Sequence, residues 1–151
     1  MDAAAVERAV TWLVSAEEEP EKCRRAWEQH PLGVALLPVG RLWDVALAEG
    51  PLGPRALTVL RRTGRAPGPV LADFGDTRVA FLVPPGTAAG RLGTSLRFLG
   101  AGGWLVVPYP GRATGGVRWL VEPDGSGHLT DPELLDRALH EAAAELRESG
   151  S

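Results

Sequence analysis

Apolar residues at both ends of the chain follow the spacing of amphipathic helices. Near the N-terminus they recur at i, i+4, i+7 and i+8, behind Asp2 as a helix cap. These residues are Val6, Val10, Leu13 and Val14. Near the C-terminus an apolar stripe follows Thr130–Glu133, which reads as a capping box with Pro in the first turn. The stripe consists of Leu135, Ala138, Leu139, Ala142 and Leu146.

A second helix is predicted to begin at Pro20, a favourable first-turn residue, and to end before Pro31. The acidic run Glu17–Glu19 precedes it and suits the positive end of a helix dipole, so we interpret the run as a solvated cap. The residues expected to point inwards are Cys23, Ala26 and Trp27.

Short apolar runs separated by glycines and prolines fill the middle of the chain, which is the pattern of strands and turns. The runs at 33–39 and 41–48 predict two neighbouring strands. Pro54–Thr63 predicts a short helix that ends at Gly64.

The second half of the middle predicts further strands. Residues 69–84 predict a hairpin that turns across Phe74–Asp76. Residues 94–110 contain two apolar runs around a glycine-rich bend, and 117–123 reads as a final strand. Because strands and helices are segregated along the chain, we expect an α+β fold with a mixed, mostly antiparallel sheet and flanking helices packed on one side.

The composition limits the classes that fit. A length of 151 residues predicts one domain, 1–151. The one cysteine excludes an internal disulfide and a multi-thiolate metal site. Apolar runs are too short for a membrane helix, and acids stand at the N-terminus where a signal peptide carries bases. We therefore expect a soluble, cytoplasmic protein with no membrane partner.

The formal net charge of −3 does not by itself indicate a nucleic-acid binder. The distribution is more informative, because residues 33–121 hold ten arginines and four acids between two acidic ends. Two interpretations stay open: the middle pairs with the ends inside one domain, or it presents a surface that faces an anion.

The histidines and the cysteine predict structural roles. His30, His128 and His140 have no partner at metal-ligand spacing, so we expect surface or capping residues. Cys23 stands one turn before Trp27 with no base identifiable nearby, and we expect it to fill the core.

Glycines and paired acids in the middle are the other candidates for chemistry. Gly100–Gly103 is rich in backbone amides but has neither the dinucleotide fingerprint nor the P-loop spacing, so a turn is expected. Asp73 and Asp76 stand three apart, and we expect them to cap a hairpin turn rather than share a cation.

The order of the segments resembles a known family. A helix with a late Trp is followed by PLGVALLPVGRLWDVALA, DTRVAFLVPPGT, LRFLGAGGWLVVPYPGR and GGVRWLVEP. This order is similar to the bifunctional DNA primase/polymerase N-terminal domain of the archaeo-eukaryotic primase superfamily. The resemblance covers residues 5–140 or so and implies a primase-polymerase-like, RRM-related core.

The resemblance also implies a site. In that family an Asp-x-Asp pair and a later Asp hold two metal ions for nucleotidyl transfer, and a histidine contacts nucleotide phosphate. Matched to this sequence, the pair falls on Asp44 and Ala46, the histidine falls on Arg78 or the adjoining residue, and the later acid falls on Arg97. Asp44 is the one acid retained among these positions.

The replacements change the expected chemistry. A two-metal site needs several carboxylates, and arginine repels Mg²⁺ while it attracts phosphate. We therefore expect no metal, no cofactor and no confident catalytic residue; either these arginines are ordinary strand residues in salt bridges, or they line a cleft with Asp44. The residues expected to bind phosphate are Arg41, Arg78, Arg97, Gly102 and Gly103.

Three functions stay open from the sequence. A non-catalytic module binds a nucleotide, a small phosphate ligand or nucleic acid through its arginines. Alternatively, a protein-interaction or regulatory domain binds a partner through a Trp-rich surface. The third is an active DNA primase/polymerase with Mg²⁺ at a rearranged site that draws on Asp44, Asp73 and Asp76. The sequence favours a protein that is not an enzyme.

Overall fold

The computed structural model describes residues 2–73, 77–90, 96–112 and 116–150. These ranges form an α+β fold, as the sequence predicts. The helices are α1 (Ala3–Val14), α2 (Pro20–Gln29), α3 (Leu52–Arg62) and α4 (Pro132–Ser149). The strands are β1 (Val34–Pro38), β2 (Asp44–Glu49), β3 (Val70–Asp73), β4 (Arg78–Val83), β5 (Arg97–Leu99), β6 (Trp104–Pro108) and β7 (Arg118–Val121). A 3-10 turn spans Ala88–Gly90.

Five of the described strands form the main sheet, in the order β5-β2-β4-β3-β7, and every pairing among them is antiparallel. β3 and β4 pair from Val70 opposite Phe81 to Asp73 opposite Arg78, which confirms the predicted hairpin strands. The predicted turn, Phe74–Asp76, lies outside the described residues.

β1 and β6 form a separate two-stranded antiparallel sheet. The prediction that the runs 33–39 and 41–48 are neighbouring strands is therefore wrong. The N–H of Gly40 donates to the carbonyl of Trp43 over 2.7 Å, in a tight turn that carries the chain into the other sheet. Two apolar runs joined by a glycine turn look alike in sequence whether the turn closes a hairpin or crosses between sheets.

Apolar side chains cover both faces of the main sheet. Ala46 and Phe81 belong to a core that includes residues of α3 and α4. Their strand neighbours Val45 and Leu82 belong to a second core with α1, α2, β1 and β6. Helices thus pack on both sides, and the expectation of one side is wrong because β2 and β4 are apolar at successive positions.

A side chain caps the N-terminus of each of the two terminal helices, α1 and α4. The Asp2 carboxylate accepts from the N–H of Ala5 over 2.7 Å, as predicted. At α4 the cap is Asp131, which accepts from the N–H of Glu133 over 2.9 Å, rather than Thr130. Thr130 is buried, and its hydroxyl accepts from the N–H of Gly68 over 3.0 Å. Its side chain is thus used to hold a neighbouring loop.

α2 buries little of its surface. Trp27 is its buried residue, and the indole Nε1 donates to the carbonyl of Gly33 over 3.1 Å. Cys23 is partly buried as expected, but Ala26 is exposed, because α2 lies at the edge of the fold beside β1. No helix in the described part of the chain is both long and apolar enough to cross a membrane.

Candidate functional site

Asp44, the acid that matches the family site, is buried at the start of β2 with 2% of its surface exposed. Its Oδ2 accepts from the backbone N–H of Ala88, in the 3-10 turn, over 2.9 Å. Its Oδ1 is buried and has no hydrogen-bond partner among the described residues. A Cβ placed on Gly100 would lie 3.7 Å from Oδ2, so the chain passes close to the carboxylate on that side.

The described surroundings of Asp44 supply few oxygen ligands. Ala46, on the same face of β2, and Val83, opposite Asp44 on β4, are both apolar. Among the described residues no group of three or more His, Cys, Asp or Glu side chains is arranged to hold a metal ion. The donor set around Asp44 therefore does not fit the two divalent cations that the family chemistry implies.

Arg78 and Arg97 lie at the other end of β2. In the strand register, Arg78 on β4 lies opposite Glu49 on β2, and Arg97 on β5 lies opposite Leu47 on β2. The Arg97 guanidinium lies 3.5 Å from the Glu49 carboxylate, on the surface. Glu49 stands five positions after Asp44 on β2, which corresponds to about 17 Å.

Asp44, Arg78 and Arg97 are therefore not brought into one cleft, which contradicts the cleft alternative. The physical reason is the antiparallel pairing of β4 and β5 with β2, since residues that begin those strands lie beside the end of β2. Arg97 pairs with an acid, as the salt-bridge alternative expects, but its partner is Glu49 rather than Asp44 or a terminal helix.

Asp73 lies at the Arg78 end of the sheet as well. Arg78 stands directly opposite it on β4. Burial raises the pKa of the Asp73 carboxyl above its usual value, and the positive charge of Arg78 acts against that shift. Asp73 and Asp44 are thus at opposite ends of the sheet, and Asp76 lies outside the described residues. The described acids of the rearranged metal site do not come together.

The glycine-rich segment forms the turn that the sequence predicts. The N–H of Gly103 donates to the carbonyl of Gly100 over 3.0 Å, and the carbonyl of Gly103 accepts from Val39 over 2.9 Å. Gly102 adopts a positive φ of 95°, which favours glycine. The Gly103 amide is engaged within the turn rather than directed at a ligand.

The three histidines are exposed, and the ring of each contacts a backbone group. His30 Nδ1 accepts from the N–H of Leu32 over 3.0 Å. The rings of His128 and His140 bond to the carbonyls of Ala66 and Asp136. The prediction of surface and capping roles is confirmed.

A groove between α2 and β1 is a concave feature that the sequence did not predict. Its volume is about 680 Å³. Trp104 and Leu36, each 54% exposed, belong to the apolar outer face of the small sheet beside it. Arg41 also lines the groove. The signal in the sequence is that β1 and β6 are apolar at successive positions although the strands are short.

Acidic residues lie at one end of the groove. Glu17, Glu18 and Glu19 line it just ahead of α2, and Lys22 pairs with Glu19 over 3.6 Å. Cys23 lines the groove too, and burial together with the charge of Glu17 raises the pKa of its thiol. The groove thus combines an apolar sheet surface with an acidic end.

Comparison with known proteins identifies the fold family. The family model for the bifunctional DNA primase/polymerase N-terminal domain matches residues 2–141, nearly the whole chain. Searches of curated proteins and of solved structures returned no match. The antiparallel α+β architecture agrees with the family model. The chain therefore belongs to the family of bifunctional DNA primase/polymerase N-terminal domains.

Proposed function

We propose that this primase/polymerase-family domain is non-catalytic and acts as a protein-interaction module with a regulatory role. The observation that carries the proposal is the state of Asp44. Its carboxylate is buried and bonded to the Ala88 backbone, and its described neighbours in the sheet are Ala46 and Val83 rather than further acids. Transfer of a nucleotidyl group by two metals needs carboxylates that bridge both ions, and one buried carboxylate does not supply them.

The exposed apolar surface supports the second half of the proposal. Leu36, Trp104 and Val106 project from the outer face of the β1–β6 sheet, and each is at least 44% exposed. Leu32 adds another exposed apolar side chain just before β1. Contiguous exposed apolar side chains of this kind mark surfaces that bind other proteins. The partner is therefore expected to contact the small sheet.

Phosphate binding is the second candidate, and Arg41 favours it. Arg41 lines the groove together with Trp104. An exposed aromatic side chain beside a basic side chain is the arrangement on which a nucleobase stacks. Glu17, Glu18 and Glu19 line the same groove and repel phosphate. Because of this negative charge, we rank a nucleotide or a single-stranded nucleic acid below a protein partner.

Binding of Mn²⁺ tests the non-catalytic half of the proposal. Paramagnetic resonance reports free Mn²⁺ directly, so titration into the purified protein measures any bound ion. We expect the same free Mn²⁺ signal for the wild-type protein and for Asp44→Asn. A saturable loss of free Mn²⁺ that depends on Asp44 would favour the active primase/polymerase alternative instead.

A further inference from the structure

The hydrogen bonds of β1 leave one of its edges open. Val39 donates to Gly103 and Tyr109 donates to Gly33, each over 2.9 Å. In an antiparallel pair such bonds fall on every second residue, so Ala35 also bonds towards β6. The alternate residues Val34 and Leu36 then direct their N–H and C=O groups to the edge that points away from β6.

No strand among the described residues pairs with that edge, because β1 and β6 form a sheet of two. Val34 and Leu36 line the groove, and α2 supplies the facing wall through Cys23, Ala26 and Trp27. An unpaired strand edge beside a groove with a helix opposite is the arrangement in which a peptide adds as an extra strand.

Resting on the proposed function, we propose that the occupant is an extended segment of a partner protein, which pairs with the edge of β1 inside this groove. Its backbone bonds to Val34 and Leu36. Its alternate apolar side chains pack against Leu36 and Trp104, which are exposed beside the groove.

The charge at one end of the groove adds a requirement on the partner. The chain reverses over residues 30–33, so the start of α2 lies beside the end of β1. Glu17, Glu18 and Glu19 gather there with Lys22 and Arg41, and Lys22 is paired with Glu19. The acids outnumber the bases, so the segment carries Lys or Arg at this end. The same acids disfavour a nucleic-acid strand.

Two substitutions separate the backbone pairing from the charge. Leu36→Pro removes the edge N–H but leaves the bonds between β1 and β6, and Pro38 already occupies an equivalent position on the strand. Leu36→Ala is its control, because it keeps the N–H. Glu18→Lys reverses one charge of the groove, and Glu28→Lys makes the same change on α2 outside the groove lining.

Selection from a random octapeptide display library on the immobilised protein supplies the probe. We expect enriched peptides that alternate apolar residues and carry Lys or Arg near one end. Each should bind about tenfold more weakly to Leu36→Pro than to Leu36→Ala, since one backbone hydrogen bond is left unmade. Binding should weaken for Glu18→Lys and stay unchanged for Glu28→Lys.

Cys23 reports occupancy of the groove, because it is the one cysteine of the chain and lines the groove. A bound peptide should slow its alkylation by iodoacetamide. If Leu36→Pro lowers the melting temperature, Glu18→Lys and protection of Cys23 still decide the question.

Several outcomes would overturn the inference. These are the absence of enriched peptides, peptides that bind Leu36→Pro normally and leave Cys23 reactive, a protein dimer that buries the edge, and preferential binding of an oligonucleotide. Peptides that bind at another surface would leave the proposed protein-interaction function standing. Binding of Mn²⁺ at Asp44 would refute the non-catalytic function without affecting peptide binding in the groove.

Discussion

Asp44 accepts a hydrogen bond from the backbone N–H of Ala88 over 2.9 Å. The bond ties the start of β2 to the 3-10 turn that follows β4. The acid retained at the family site thus has a structural contact, while its second oxygen is buried without a hydrogen-bond partner in the part of the chain that the structure describes. Substitutions of Asp44 should therefore differ in stability according to whether they keep an acceptor for the Ala88 N–H.

Replacement of Asp44 tests this contact. Asp44→Ala leaves the Ala88 N–H unpaired, and we expect a loss of about 1–3 kcal/mol in the free energy of unfolding. Asp44→Asn keeps an acceptor for the same N–H, so it should be the more stable variant. Urea denaturation of both proteins gives the comparison, and equal stability of the two variants would contradict the structural role.

Leu139 docks α4 onto the sheet and is 8% exposed. Burial of a leucine contributes about 1.5–3 kcal/mol, and an aspartate in its place adds the cost of a buried charge. We expect Leu139→Asp to unfold the domain or to lower its free energy of unfolding by more than the loss of leucine burial alone. His140→Asp, at the exposed neighbouring position, is the control. Circular dichroism during thermal unfolding distinguishes them, and matching transitions would refute the docking.

Gly40 makes the turn that separates the two sheets. Its φ is +103°, and an added Cβ would lie 2.5 Å from the Cα of Ala101. Gly40→Ala therefore combines backbone strain with a clash against backbone atoms. Gly50 also has a positive φ, of +68°, but nothing lies within 4 Å of an added Cβ.

Comparison of the two alanine variants measures the joint cost of the clash and of the larger φ at Gly40. Gly50→Ala should cost about 1–2 kcal/mol, the usual penalty of a left-handed conformation. Gly40→Ala should cost more than Gly50→Ala. Chemical denaturation measures both, and an equal loss of stability would show that Gly40 and Ala101 are not in close approach.

Some features follow from the sequence because they depend on local patterns. The α4 stripe around Leu139 and the paired strands β3 and β4 both rest on residues near one another in the chain. The separation of β1 from β2 does not follow from local pattern, because β1 pairs with β6, which is distant in the chain.

The candidate site divides in the same way. Burial of Asp44 is consistent with its place in an apolar run, but its distance from Arg78 and Arg97 is set by the direction of strand pairing. A motif match gives the order of the residues along the chain and not which ends of the strands meet. The groove beside β1 was missed because its walls come from packing of α2.

The reactivity of Cys23 should depend on pH in a defined direction. Burial, and secondarily the charge of Glu17, raises the pKa of the thiol, so less thiolate is present at a given pH. Alkylation by iodoacetamide should reach half its maximal rate at a higher pH than in the urea-unfolded protein. Glu17→Gln should move the profile only part of the way back, since burial remains. Identical pH profiles of alkylation for the folded and the unfolded protein would contradict a raised pKa of the Cys23 thiol.

Nucleotide incorporation tests the central claim, the absence of catalysis, most directly. The purified protein is incubated with unprimed and primed templates, nucleoside triphosphates and either Mg²⁺ or Mn²⁺. Because the described residues around Asp44 do not provide the carboxylates of a two-metal site, we predict no template-dependent product under either metal. A template-dependent product made by the wild-type protein and lost in Asp44→Asn would contradict the account.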